Sequence, residues 1–182
     1  HTGPFGGCNN TQQIPSDKLC SARTALIGGY APQFNETIPT IEESFRDLMI
    51  GKNGSVHYTQ GSSACFLNNE SLVQEAANEI RDHDIVVVVV GDTGDKDPQC
   101  QTCGEGKDRT SLTLSGDQSK LVIAILDAAE KRQNVSVVIV LIHGRPITFE
   151  NVQSLDSSTV LNHSALTSII SAGRPGPFGS RA

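Results

Sequence analysis

Two stretches of the chain carry no polar alternation: Ile85–Gly91 (IVVVVVG) and the run at 135–142 (VSVVIVLI). Such runs predict strands covered on both faces, as in a parallel sheet with helices on each side. Helical spacing alternates with them. Thr40 followed by Glu43 reads as a capping box, with Phe45, Leu48 and Met49 behind it. Over 69–83, Leu72, Val73, Ala76, Ala77 and Ile80 form one apolar face. From Asp117 onward, Leu121, Val122, Ile125, Leu126 and Ala129 form another, and Lys131 and Arg132 fall where a helix terminus favours cations. Weaker signals predict short strands at 56–59 and 158–161 and a short helix or turn at 149–155. Residues 167–172 read only as a short apolar stretch. The order predicts an α/β fold: a doubly wound, mostly parallel sheet sandwiched by helices, with 85–90 and 135–141 as adjacent parallel central strands.

The segment after the first strand stands out. Between Asp92 and Arg109 lie four Asp, two Lys, one Glu and two Cys, with four Gly or Pro. Ligands of open α/β sheets bind at the carboxyl ends of strands, so any chemistry is expected there. Glu105 sits between Gly104 and Gly106, a setting that permits close approach of a ligand. As a candidate proton donor it competes with Asp92, Asp95 and Asp97. The neighbours Asp108 and Arg109 read as an ion pair or loop anchor, or as ligand contacts.

Length and charge narrow the field. At 182 residues the chain is most simply one domain. Fourteen basic residues stand against 20 acidic ones, without a basic run, so nucleic acid is an unsuited partner. No apolar run approaches the ~20 residues of a membrane helix. Six of the ten Asn open an Asn-x-Ser/Thr sequon: Asn9, Asn35, Asn53, Asn69, Asn134 and Asn162. That excess points to glycosylation in a secretory pathway, secreted or lysosome-like. Five Cys suit an oxidising compartment. Cys100–Cys103 is expected to form a small structural bridge, since a redox C-x-x-C would open a helix, and Cys8 is expected to pair with Cys20.

Other chemistries find little support. Cys65, His83 and His143 lack metal-ligand spacing. The Gly91-Asp92-Thr93-Gly94 turn follows a strand, yet no G-x-G-x-x-G, Walker A or G-x-S-x-G occurs, so neither a cofactor nor a serine nucleophile is indicated.

The motif Gly-Glu-Gly-Lys-Asp-Arg-Thr-Ser-Leu-Thr-Leu-Ser-Gly-Asp-Gln at 104–118 resembles glycoside hydrolase family 3. In that family a Val-rich strand, a variable loop, E-G-x-D-R-x-x-L-x-L-P-G-x-Q, a helix, a second Val-rich strand and N-G-R-P follow one another. Here Ser115 replaces the Pro and His143 the Asn. Gly3-Pro4-Phe5, the segment 26–30 and Arg174-Pro175-Gly176 also match. The resemblance implies the second, α/β-sandwich domain of β-glucosidases and β-xylosidases. It implies a retaining mechanism on β-linked glycosides, with the nucleophile on an N-terminal (β/α)8 barrel outside these residues. It places the general acid/base at Glu105. Residues 1–182 are then expected to be a single domain incomplete at both ends, inactive alone. Two alternatives remain: a non-catalytic sugar-binding or interface domain of the same fold, and a nucleotide-binding α/β domain.

Overall fold

The computed structural model describes residues 26, 38–63, 70–80, 83–93, 102, 108–132, 134–149 and 160–175. Thr40 opens the first described helix, α1 (Ile41–Met49), through the expected capping box. Its hydroxyl accepts from the Glu43 N–H, and the Glu43 carboxylate accepts from the Thr40 N–H at 2.7 Å. Two donors with no partner inside the helix are satisfied together. Leu48, expected on the apolar face, is exposed instead. Helix α2 (Glu70–Glu79) buries Val73 and Ala76, with Ile80 beyond its end.

Strand β1 (Ile85–Gly91) follows, then α3 (Gln118–Glu130) and β2 (Ser136–Ile142). β1 and β2 are adjacent and parallel, in register from Ile85↔Ser136 to Gly91↔Ile142, as expected. A third strand, β3 (Leu166–Gly173), pairs parallel to β2 on its other side. The order is β1-β2-β3, so β2 alone is central in the described sheet.

Three local expectations need correction. The third strand is not at 158–161: Val160 and Leu161 are helical, with Val160 buried against the core. The strand begins at Leu166, where Thr167, Ser168 and Ser171 lie on exposed positions and dilute the apolar signal. Residues 56–59 contribute no strand to the described sheet. Lys131 and Arg132 lie just past the last residue of α3 rather than in its final turn.

Period-two alternation within the Val run divides the core between two faces. Val86, Val88 and Val90 of β1, with Val137, Ile139 and Leu141 of β2, pack under α2 and α3. Val89 and Ile142 face the other way, against Leu26 and the partly buried Ile41 of α1. Helical residues therefore cover both faces, and the strands need no polar side. None of these helices is long and apolar enough to cross a membrane.

Candidate functional site

The three strands are parallel, so their carboxyl ends lie together. Asp92 follows β1, His143 and Arg145 follow β2, and Arg174 follows β3. Backbone pairing carries on past the strands: Asp92 N–H donates to Ile142 O at 2.8 Å, and His143 N–H to Gly173 O at 2.9 Å. The His143 imidazole lies 2.7 Å from Ser171 Oγ through Nε2.

Gly91 is the hinge point of this edge. Its φ is 148°, and a Cβ there would lie 1.8 Å from the Ile142 carbonyl oxygen. Only glycine lets the two backbones come this close. Its remaining polar groups are met from α3. The buried Gln118 side chain accepts from Gly91 N–H at 2.7 Å and donates to Gly91 O at 2.9 Å. The last residue of the 104–118 motif thus joins the start of the crossover helix to the end of β1.

Asp92 is wholly buried. Its Oδ1 accepts from Arg109 Nη1 at 2.7 Å and from Thr102 Oγ1 at 3.3 Å. Arg109 also donates through Nη2 to Thr113 O. Arg145 Nε stands 3.9 Å from Oδ2, which makes no hydrogen bond among the described residues. Arg174 donates to the Asp92 backbone carbonyl at 3.1 Å. Burial pushes the Asp92 carboxyl above its ordinary value, while Arg109, Arg145, Thr102 and Arg174 pull it back. One buried carboxylate facing three guanidinium groups is a structural junction, since a buried charge persists only when paired.

The polar loop is closed from within. Thr93 N–H donates to Thr102 Oγ1 at 2.9 Å, and Thr102 N–H returns to Thr93 O at 3.1 Å. That pair closes residues 94–101, which hold Asp95, Asp97 and Cys100. The Arg109–Asp92 pair closes the rest. The loop anchor expected at 108–109 is therefore Arg109 with Asp92, while its neighbour Asp108 is exposed. Glu105, Asp95, Asp97 and all five Cys lie outside the described residues. So do Asn9, Asn35 and Asn69, whereas Asn53, Asn134 and Asn162 are exposed. No group of three or more His, Cys, Asp or Glu suited to a metal ion occurs among the described residues.

Sequence reasoning did not single out Thr102, Gln118, Arg145 or Arg174 for this edge. For the two arginines the signal available was position: a charged residue within three residues of the end of each strand of a parallel sheet. A shallow groove between α2 and α3, lined by Gln74, Ala77, Ala124 and Asp127 among others, lies away from this edge.

A parallel α/β domain whose polar loop is clamped at the carboxyl edge of its sheet is a class with many uses. Comparison with known proteins narrows it. Residues 8–182 match the glycosyl hydrolase family 3 C-terminal domain, and the chain belongs to that family. It is similar to a beta-xylosidase of Formosa agariphila, 31% identical over 137 residues, covering 71% of this chain and 17% of that protein. An Arabidopsis thaliana protein named "Probable beta-D-xylosidase 7" is 31% identical over 159 residues, covering 86% of this chain and 17% of that protein. The chain therefore spans about a sixth of the length of these relatives. Among solved structures, a beta-glucosidase from Listeria innocua in complex with isofagomine shares the fold, with a TM-score of 0.64 at 17% identity, covering 99% of this chain and 19% of that one. A beta-glucosidase involved in saponin metabolism from intestinal bacteria gives 0.63 at 20% identity, covering 99% of this chain and 26% of that one.

Proposed function

We propose that this chain is the acid/base-bearing domain of a secreted, retaining β-glycosidase acting on terminal β-D-xylosyl or β-D-glucosyl residues. Glu105 is the general acid/base in this reading. The nucleophile and most of the sugar pocket come from an N-terminal barrel domain, so the 182-residue chain alone hydrolyses no glycoside. The observation that carries the reading is the double closure of the polar loop at the carboxyl edge. Thr93 with Thr102, and Asp92 with Arg109, tie Thr102 and Arg109, the residues on either side of 103–108, to the carboxyl edge, where ligands of such sheets bind. The burial of Asp92 supports leaving proton transfer to a loop residue, because a general acid must reach the departing oxygen. Of the pair read as substrate contacts, Asp108 is exposed toward solvent and Arg109 holds Asp92.

A retaining enzyme needs two carboxyl groups about 5–5.5 Å apart. One attacks the anomeric carbon while the other protonates the leaving oxygen. The second then deprotonates the water that releases the sugar. Leaving groups that depart as stable anions need no proton, which supplies the test. In the intact enzyme, Glu105→Ala should lose on the order of 10²–10⁴ in kcat/KM on an alkyl glycoside. It should lose far less on a dinitrophenyl glycoside, and azide should restore turnover of that activated substrate. Equal behaviour on both substrates, with the leaving-group dependence appearing in Asp95→Ala or Asp97→Ala, would move the role to that Asp. If no loop acid matters, the domain binds or packs rather than catalyses.

The sequons and cysteines support a secretory route, and the exposure of Asn53, Asn134 and Asn162 suits glycan attachment. Enzymatic deglycosylation of the protein from its native source should lower its apparent mass.

A further inference from the structure

At the carboxyl edge, Arg109 and Thr102 bond to the Asp92 carboxylate, Arg145 faces it, and Arg174 holds the Asp92 carbonyl. His143 stands apart from that junction. It directly follows β2, the central strand of the described sheet. Among the described residues its ring makes one hydrogen bond, from Nε2 to Ser171 Oγ at 2.7 Å, and Nδ1 has no partner there. Both side chains reach solvent: His143 is half-exposed and Ser171 exposed. The ring is nonetheless fixed. The His143 N–H donates to Gly173 O at 2.9 Å, so β3 and its end hold the main chain and the imidazole together. A serine hydroxyl turns to donate or to accept. It can therefore hold either neutral tautomer, and Nδ1 is left as a donor or an acceptor accordingly.

We infer that His143 is a substrate contact: its Nδ1 meets a hydroxyl of the sugar that departs as the leaving group, and Ser171 is the positioning residue that fixes the ring. The inference rests on the β-glycosidase reading given above. Ligands of parallel sheets bind at this edge, where a few accessible polar groups set their orientation. An alcohol both donates and accepts, so it suits the open nitrogen in either tautomer. The side of the substrate follows from the division of labour in that reading. The barrel supplies the nucleophile and most of the pocket for the sugar it captures, so a contact from this domain falls on the departing side. A site that hydrogen-bonds a substrate hydroxyl discriminates against an analogue that lacks it. His143 thus favours leaving groups that carry ring hydroxyls.

The experiment compares two leaving groups on the intact enzyme. For the parent, His143→Phe, Ser171→Ala and Ser171→Thr, kcat/KM is measured on a β-linked disaccharide (xylobiose or cellobiose) and on the corresponding methyl glycoside, whose leaving group has no ring hydroxyls. The quantity read is the ratio of the first to the second. His143→Phe keeps a planar ring and removes both nitrogens, and should lower the ratio roughly three- to tenfold, the value of one neutral hydrogen bond. Ser171→Ala frees the ring and should lower it about twofold. Ser171→Thr keeps the hydroxyl and should retain the parent ratio. A residue that only holds the fold together would change both rates alike and leave the ratio unmoved. Where His143→Phe does not fold, Ser171→Ala decides, as it removes one exposed hydroxyl. A parent that hydrolyses both substrates, with its ratio kept in His143→Phe and Ser171→Ala, overturns the role of His143 alone. A parent that hydrolyses neither overturns the β-glycosidase reading and this inference with it.

Discussion

β1 and β3 flank the same central strand, and both run parallel to it. β1 is apolar throughout, and Val88, Val89 and Val90 are fully buried. β3 reads Leu-Thr-Ser-Ile-Ile-Ser-Ala-Gly, and none of its residues is fully buried. Both nonetheless deliver polar groups to one junction: Asp92 beyond β1 and Arg174 beyond β3. β1 anchors that junction from inside the core. β3 reaches it from the surface. The contrast teaches that burial of a strand and its contribution to the edge are separate matters. Parallel alignment alone brings the carboxyl ends together, whatever lies on the strand faces.

The comparison is broken most completely at Gly91. Gly91→Ala places a Cβ 1.8 Å from the Ile142 carbonyl oxygen at a φ of 148°. The β1–β2 approach cannot survive that contact, and the expected cost exceeds about 4 kcal/mol. Denaturant unfolding, or loss of soluble folded protein, measures it. A cost below 1 kcal/mol would show that the tight approach is not needed.

A paired substitution sharpens the contrast between the strands. Val88→Ala removes two buried methyl groups from β1 and should cost about 2 kcal/mol. Ile170→Thr on β3, at a half-exposed position, should stay within about 0.5 kcal/mol. Urea midpoints at constant m-value compare the two directly, and equal costs would mean that β3 is covered in the folded protein.

The smallest effect lies at the entrance to β3. Ser164 donates to Glu130 of α3 through its hydroxyl at 3.1 Å, and His163 Nδ1 lies 3.0 Å from the same carboxylate. Ser164 first, then His163, holds the Glu130 carboxyl below its ordinary range. A lowered folded value means that the unfolded chain takes up the proton first. The contribution is thus present above the ordinary carboxylate value and is lost as the pH falls through the folded one. Glu130→Gln should lower Tm slightly near neutral pH and not at all in strong acid. A Tm difference that persists in acid would show that Glu130 acts through something other than its charge.

Much of this protein was determined by its sequence alone. The two Val-rich runs imposed parallel, doubly covered strands, because a strand without a polar face has no stable place beside water. Thr40 with Glu43 specified a helix start, because both partners of the capping box lie within one turn. The 104–118 motif already contained Arg109 and Gln118. What they do was decided by tertiary structure: Arg109 reaches back 17 residues to Asp92, and Gln118 reaches back 27 residues to Gly91. Local pattern cannot reveal such pairings, because the partners lie 17 and 27 residues apart in the chain. The same holds for β3. Its mixed polar and apolar residues carry little signal in isolation, and pairing with β2 made them a strand. Arg145 and Arg174 came to Asp92 for the corresponding reason: parallel strands bring distant chain positions to one edge, and a buried carboxylate there requires positive charge.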